Sequence, residues 1–143
     1  MAPESMVHAL KQIQGWLKGD GHLIDIHPTG EPPPLHVQLG EERHLVGWVQ
    51  EESDYVKYSQ ADEALNEAVQ RGWFQVEQRQ RVTFATYAPD LVSLRDHLRE
   101  VWHDAQIEDL VAMQIESLLS NPTEDKELIV EEKIWMARLR PLL

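Results

Sequence analysis

Leu17–Pro28, which reads LKGDGHLIDIHP, is the stretch that decides the fold. Gly19 and Gly21 follow a segment of helical periodicity, and glycine accepts the left-handed backbone that many helix ends need. Leu23–Ile26 contains only one polar residue, Asp25, which is typical of a strand covered on both faces. Pro28 then stops the strand. We therefore predict a helix, a glycine turn and a strand at the centre of a sheet.

The sequence on either side predicts further helices and strands. A helix precedes the glycine turn, and residues 35–50 alternate in a way that predicts a β-hairpin with its turn at Gly40. A capping pattern at Ser59 predicts the start of a second helix that ends at Gly72. Period-two alternation from Trp73 to Tyr87 fits either one long strand or two strands with a turn between them.

The C-terminal third of the chain predicts helix and then strand. Pro89 and Asp90 open a helical region that extends to about Asn121, either as one helix or as two end to end. The last strand, at about 128–139, carries apolar residues on both faces. A strand of that kind belongs in the middle of a sheet, because an exposed apolar edge invites aggregation.

Composition limits the classes of protein and the kinds of site. The 143 residues fit one domain, 1–143, with residues 35–50 as a hairpin insertion. A net charge of −12 argues against binding nucleic acid or an anionic membrane surface. The absence of cysteine excludes disulfides and thiolate chemistry. No signal peptide or membrane span is evident in the sequence, so we expect a cytoplasmic protein.

The glycine turn and its strand, Leu17–Ile26, resemble the turn before the fifth strand of class I S-adenosylmethionine-dependent methyltransferases. Gly19 stands where the family has proline, and Asp20 where it has the first glycine. The later order of long strand, helix and terminal strand also resembles the end of that fold. The resemblance implies an α/β fold, half of a Rossmann-like mixed sheet with an antiparallel terminal strand and helices packed on its faces.

The same resemblance implies that the cofactor is bound by a part of the family's fold that precedes the turn. A glycine-rich loop and an acidic strand end hold it there, and Gly19–Gly21 is the only G-x-G in this chain. No cofactor-binding or catalytic residue carries over, and no cofactor is expected. What is implied is a methyltransferase-like C-terminal module without autonomous methyl transfer, and whether the chain is an enzyme at all stays open.

In the family, the fifth strand lies between the fourth strand and the seventh. Without a fourth strand, Leu23–Ile26 would leave an open apolar edge. A second copy, the hairpin folded back, or a separately encoded cofactor-binding partner would each cover it. We expect a homodimer, because closed two-fold pairing is the commonest arrangement.

The alternative function is a free-standing α+β domain or small enzyme that binds a small molecule. His27 lies at the carboxyl end of the predicted strand, where open α/β sheets place ligands, and His27, Tyr55 and Tyr58 would form its pocket. The simpler interpretation of His27 is a strand-end histidine bonded to a carbonyl group. His36 and His44 could meet across the hairpin, but no carboxylate partner for a metal ion is predictable, so surface or partly buried histidines are favoured over a metal site. Trp48 is the tryptophan most suited to an interface.

Overall fold

The computed structural model describes residues 3–51, 54–102, 104–122 and 125–142. These residues form four helices and five strands, and the predicted α/β class is confirmed. In chain order the elements are α1 (Pro3–Trp16), β1 (Leu23–Pro28), β2 (Pro34–Leu39), β3 (Glu42–Trp48), α2 (Asp54–Gln70), β4 (Phe74–Ala88), α3 (Leu91–Val101), α4 (Asp109–Leu119) and β5 (Lys126–Pro141).

The chain divides into two compact units. Unit 1 consists of Met1–Gly30, Ser53–Val82 and Lys133–Leu143, and unit 2 of Glu31–Glu52 and Thr83–Glu132. The long strands β4 and β5 each contribute residues to both units. β5 pairs with β1, β2 and β4, as its apolar residues on both faces predicted.

Unit 1 is a sheet with two helices on one face. β1 runs antiparallel to β5 in a continuous register from Leu23 opposite Leu139 to Pro28 opposite Ile134. The core between sheet and helices is built from buried Ala68, Phe74, Ala137 and Leu139, against which partly buried residues of α1 and α2 pack. The predicted helix end is also observed: α1 stops at Trp16, before the glycine turn.

The other face of β1 differs from the prediction of a strand covered on both sides. Ile24 is 55% exposed and Ile26 is 59% exposed. In addition, β1 stands at the end of the strand order, so it is an edge strand and not the centre of the sheet. The isoleucines of β1 therefore mark a surface of unit 1, whereas the opposite face of the strand, with Leu23, belongs to the core.

Unit 2 contains the predicted hairpin, formed by β2 and β3. β2 also pairs antiparallel with the first part of β5, from Leu35 opposite Val130 to Leu39 opposite Lys126. Helices α3 and α4 cover the apolar residues of these strands, and Leu35, Val37, Leu94 and Ile115 are completely buried.

Three boundaries that the sequence left open, or placed elsewhere, are now fixed. β4 is one continuous strand of 15 residues, and the helical region after it is two helices, α3 and α4. Asp90 caps α3 by accepting a hydrogen bond from the Ser93 amide at 2.7 Å. α2 begins at Asp54 and not at Ser59, because the intervening segment contains no glycine or proline to stop the helix.

Candidate functional site

His27 lies near the end of β1 and is the buried polar residue of the described core, with 8% of its surface exposed. Asp25 is two residues earlier on the same strand. Since alternate side chains of a strand point to the same face, both lie on the face that α1 and α2 cover. Ile24 and Ile26 occupy the opposite face.

Both ring nitrogens of His27 are bonded to carboxylates. Nδ1 lies 2.6 Å from Oδ2 of Asp25, and Nε2 lies 2.9 Å from Oδ1 of Asp62. Asp25 belongs to β1, whereas Asp62 belongs to α2. The imidazole therefore joins the sheet to the helix that covers it.

This arrangement favours the charged form of the ring. The hydrogen bond to Asp25 is the largest influence on His27 and raises its pKa above the ordinary value of 6.5. Burial opposes the rise, while the charge of Asp25 and the hydrogen bond and charge of Asp62 add to it. A protonated imidazole donates through both nitrogens, which is what two flanking carboxylates require.

Two further residues complete the group around His27. Arg79 of β4 donates to Oδ1 of Asp62 at 3.2 Å, and its guanidinium carbon lies 4.1 Å from the centroid of the Trp135 ring. Trp135 of β5 stands opposite His27 in the sheet register. We call Asp25, His27, Asp62, Arg79 and Trp135 the His27 network.

The chemistry of the network is that of a structural ion-pair cluster. With a proton on each nitrogen, His27 has no lone pair with which to act as a general base. Each of its two donors is already occupied by a carboxylate, so a substrate would have to displace one. The network is therefore well suited to hold α2 against β1.

The structure does not bring His27, Tyr55 and Tyr58 together as a described pocket. His27 is in the network, and Tyr58 is partly buried on α2, one helical turn before Asp62. The side chain of Tyr55 lies outside the described residues. Sequence reasoning missed Asp25 and Asp62. The i, i+2 spacing of Asp25 and His27 on a strand was a signal for the first, but nothing local pointed to the second.

The second candidate feature is the free edge of β1. The amide of Thr29 donates to the carbonyl of Lys133 at 2.9 Å, just beyond the paired residues. In a strand, successive residues direct their backbone groups to alternate sides. Asp25 and His27 therefore bond toward β5, whereas the N–H and C=O groups of Ile24 and Ile26 point away from it.

No strand among the described residues pairs with this outer side of β1. Pro28 faces the same way and has no N–H to offer, which suits the end of an edge strand. The edge thus presents two donors and three acceptors, from Ile24, Ile26 and Pro28, next to two isoleucine side chains that are more than half exposed.

The described parts of the chain show neither a cluster of metal ligands nor a membrane-spanning helix. No three histidine, aspartate or glutamate side chains there are grouped so that they could hold a metal ion. None of the helices there is both long enough and apolar enough to span a bilayer.

Comparison with known proteins gave no match to a family model, to a curated protein or to a solved structure.

Proposed function

We propose that this chain is an assembly module, a methyltransferase-like C-terminal module without autonomous methyl transfer, which works as a homodimer joined through the free edge of β1. The observation that carries the proposal is the edge itself. Ile24 and Ile26 direct their backbone donors and acceptors away from β5, and no described strand meets them.

An unpaired apolar edge is a template for another strand. Adding a strand to it satisfies the backbone groups and removes apolar surface from water, as in proteins that bind partners by β-augmentation. A second copy offers the same edge, and a two-fold axis lets each β1 donate to the other. Such a contact is closed, so it forms dimers and not fibres.

The methyltransferase likeness is supported by one pairing. The strand after the glycine turn, β1, lies beside the terminal strand β5 and runs antiparallel to it, as the resemblance implies. Gly21 itself has a structural use, because its amide donates to the carbonyl of Lys18 at 2.8 Å and closes the turn. The single G-x-G of the chain is thus used in this turn and does not form a cofactor-binding loop. We therefore expect no binding of S-adenosylmethionine by the isolated chain in titration calorimetry. Tight binding would contradict this part of the proposal.

The edge is tested by two substitutions at one position. Ile26→Pro removes the side chain and the outward N–H, whereas Ile26→Ala removes the side chain and keeps the N–H. Because that N–H makes no bond to β5, both variants should fold, which circular dichroism and a thermal melt will check. In light scattering coupled to size exclusion, we expect a dimer for the wild type, a monomer for Ile26→Pro and a retained dimer for Ile26→Ala.

A wild type that stays monomeric as its concentration is raised, or a dimer that survives Ile26→Pro unchanged, would overturn the homodimer. The same edge would also accept a strand from a complementing protein by the same hydrogen bonds. If the wild type is monomeric and binds a strand-forming peptide that Ile26→Pro does not bind, the chain assembles with a complementing protein and not with a second copy.

The alternative of a small-molecule site at His27, Tyr55 and Tyr58 receives less support. Both nitrogens of His27 are engaged by Asp25 and Asp62, so the ring offers a ligand neither a donor nor an acceptor. The buried imidazole is better explained by the connection that it makes between β1 and α2.

A further inference from the structure

We propose that unit 1 carries a docking surface for an acidic amphipathic helix of a partner protein. The surface is the sheet face opposite α1 and α2. We call it the open face and define it by Ile24, Ile26, Met136, Arg138 and Arg140.

The centre of the open face is apolar. Ile24 stands opposite Arg138 and Ile26 opposite Met136 in the register. These are pairs without direct backbone hydrogen bonds between the two strands, in which side chains approach closely. Ile24, Met136 and Arg138 line a shallow cleft of about 180 Å³ together with Gln78 and Gln80 of β4. Neighbouring exposed apolar side chains that form one patch mark interaction surfaces, whereas scattered ones do not.

The flank of the open face is basic. Nε of Arg138 lies 3.5 Å from Oε1 of Glu77, and the same oxygen lies 2.7 Å from Nε2 of His22. Arg140 donates to the neutral amide oxygen of Gln75. The flank therefore carries two guanidinium groups, one beside the Glu77 carboxylate and one bonded to a neutral amide, on a chain whose net charge is −12. A partner that complements this flank carries carboxylates.

The shape of the surface favours a helix. Adjacent strands lie about 4.8 Å apart, so three strands span roughly the 10 Å diameter of a helix. A helix with apolar residues at i, i+4 and i+7 would cover the isoleucines and Met136 and bring flanking glutamates to the arginines. Helix α4 of a second copy has related chemistry, with exposed Leu110 and Met113 beside Asp109. The basic flank favours an acidic partner in general and does not by itself select α4 of a second copy.

Docking on the open face is separate from the proposed homodimer. Edge pairing uses the backbone atoms of Ile24 and Ile26, whereas docking on the open face uses side chains. The two are therefore distinguished by different substitutions.

The test uses two dye-labelled synthetic peptides of the same length. One places leucine at i, i+4 and i+7 with flanking glutamates, and the other replaces every glutamate by lysine. With the full wild-type chain, fluorescence anisotropy should show saturable binding of the acidic peptide, at least about tenfold tighter than that of the basic one. Added salt should weaken this binding, because the charges on the flank are exposed.

The double variant Arg138→Glu, Arg140→Glu should reverse the preference for the acidic peptide. Arg99→Glu on α3 is the matched control, since Arg99 is exposed and pairs only locally with Asp96; it should leave binding unchanged. Equal affinity for the two peptides, or no effect of the double variant, would overturn the proposal. Self-association that is lost in the double variant but kept in Ile26→Pro would show that a second copy occupies the open face, which also overturns it.

Discussion

Nε2 of His27 lies 2.9 Å from Oδ1 of Asp62, and this contact joins the end of β1 to helix α2 across 35 positions of sequence. The partner on the other side of the ring, Asp25, comes from β1 itself. Both ring nitrogens are thus bonded to carboxylates, so the protonation of His27 affects the stability of unit 1.

The first prediction concerns pH. Because the folded pKa of His27 lies above 6.5, the stabilisation is fully present below that value. It is lost as the pH rises through the folded pKa. Urea unfolding at a series of pH values should show a free energy of unfolding that falls as the pH rises from 6.5 through the folded pKa of His27. His27→Gln should flatten this part of the profile, and an identical slope in wild type and variant would contradict the prediction.

The second prediction concerns Asp62. Asp62→Asn should cost about 1–2 kcal/mol of stability, because a charge-assisted bond to His27 and the bond from Arg79 are both weakened while the side chains stay partly exposed. Combined with His27→Gln, the loss should be smaller than the sum of the two single losses. Additive losses in this double-mutant cycle would mean that the two side chains act independently.

Trp135 provides a third prediction. Its ring is partly buried and carries the guanidinium of Arg79 on it. Trp135→Ala should cost about 2–3 kcal/mol, below the range for a fully buried ring. Trp135→Phe should keep more than half of that stability. A loss under about 1 kcal/mol in chemical denaturation of the alanine variant would show that the ring contributes little packing.

A fourth prediction concerns Gly47 in unit 2. A Cβ at this position would lie 2.6 Å from Cγ2 of Val111, and the backbone has a φ of 155°. Gly47→Ala should therefore destabilise the protein by about 1–3 kcal/mol, and Val111→Ala in the same chain should recover part of the loss. Gly19→Ala is the control, since nothing lies within 4 Å of its Cβ. A neutral Gly47→Ala in thermal melts would refute the close approach.

The hairpin offers a matched pair for the fifth prediction. Leu35 of β2 is fully buried, whereas Leu45 of β3 is 50% exposed. Leu35→Ala should cost about 2–5 kcal/mol, and Leu45→Ala clearly less, because only the first leaves a cavity. Equal losses would mean that the two positions are packed alike.

The sequence predicted well those elements whose signal is local. Asp90 capped α3, and the alternation of residues 35–50 produced the β2–β3 hairpin. α1 ended before the glycine turn as predicted, but the proposed cause was wrong, because neither Gly19 nor Gly21 has a positive φ. β5 was also predicted as an inner strand, and for a physical reason: apolar residues on both of its faces leave it few stable positions at an edge.

β1 shows where the same reasoning fails. Ile24 and Ile26 are as apolar as the residues of a buried strand, yet they are exposed in unit 1. Apolar side chains require cover, and the pattern does not say whether that cover comes from the same chain. The partnership of His27 with Asp62 was equally out of reach, because it exists only once α2 has packed on the sheet.

Pro28 has a consequence for the strength of the proposed pairing. By ending the row of outward N–H groups, it leaves each copy only the donors of Ile24 and Ile26. Four such bonds, at about 0.5–1.5 kcal/mol each, are no larger in total than the lower estimates of the cost of association, so they leave little net free energy of binding. The pairing would therefore be weak enough to reverse, so the amount of protein present would set how much of it is assembled. Because Pro28 has no N–H to donate, the extent of dimerisation would depend on the protein concentration.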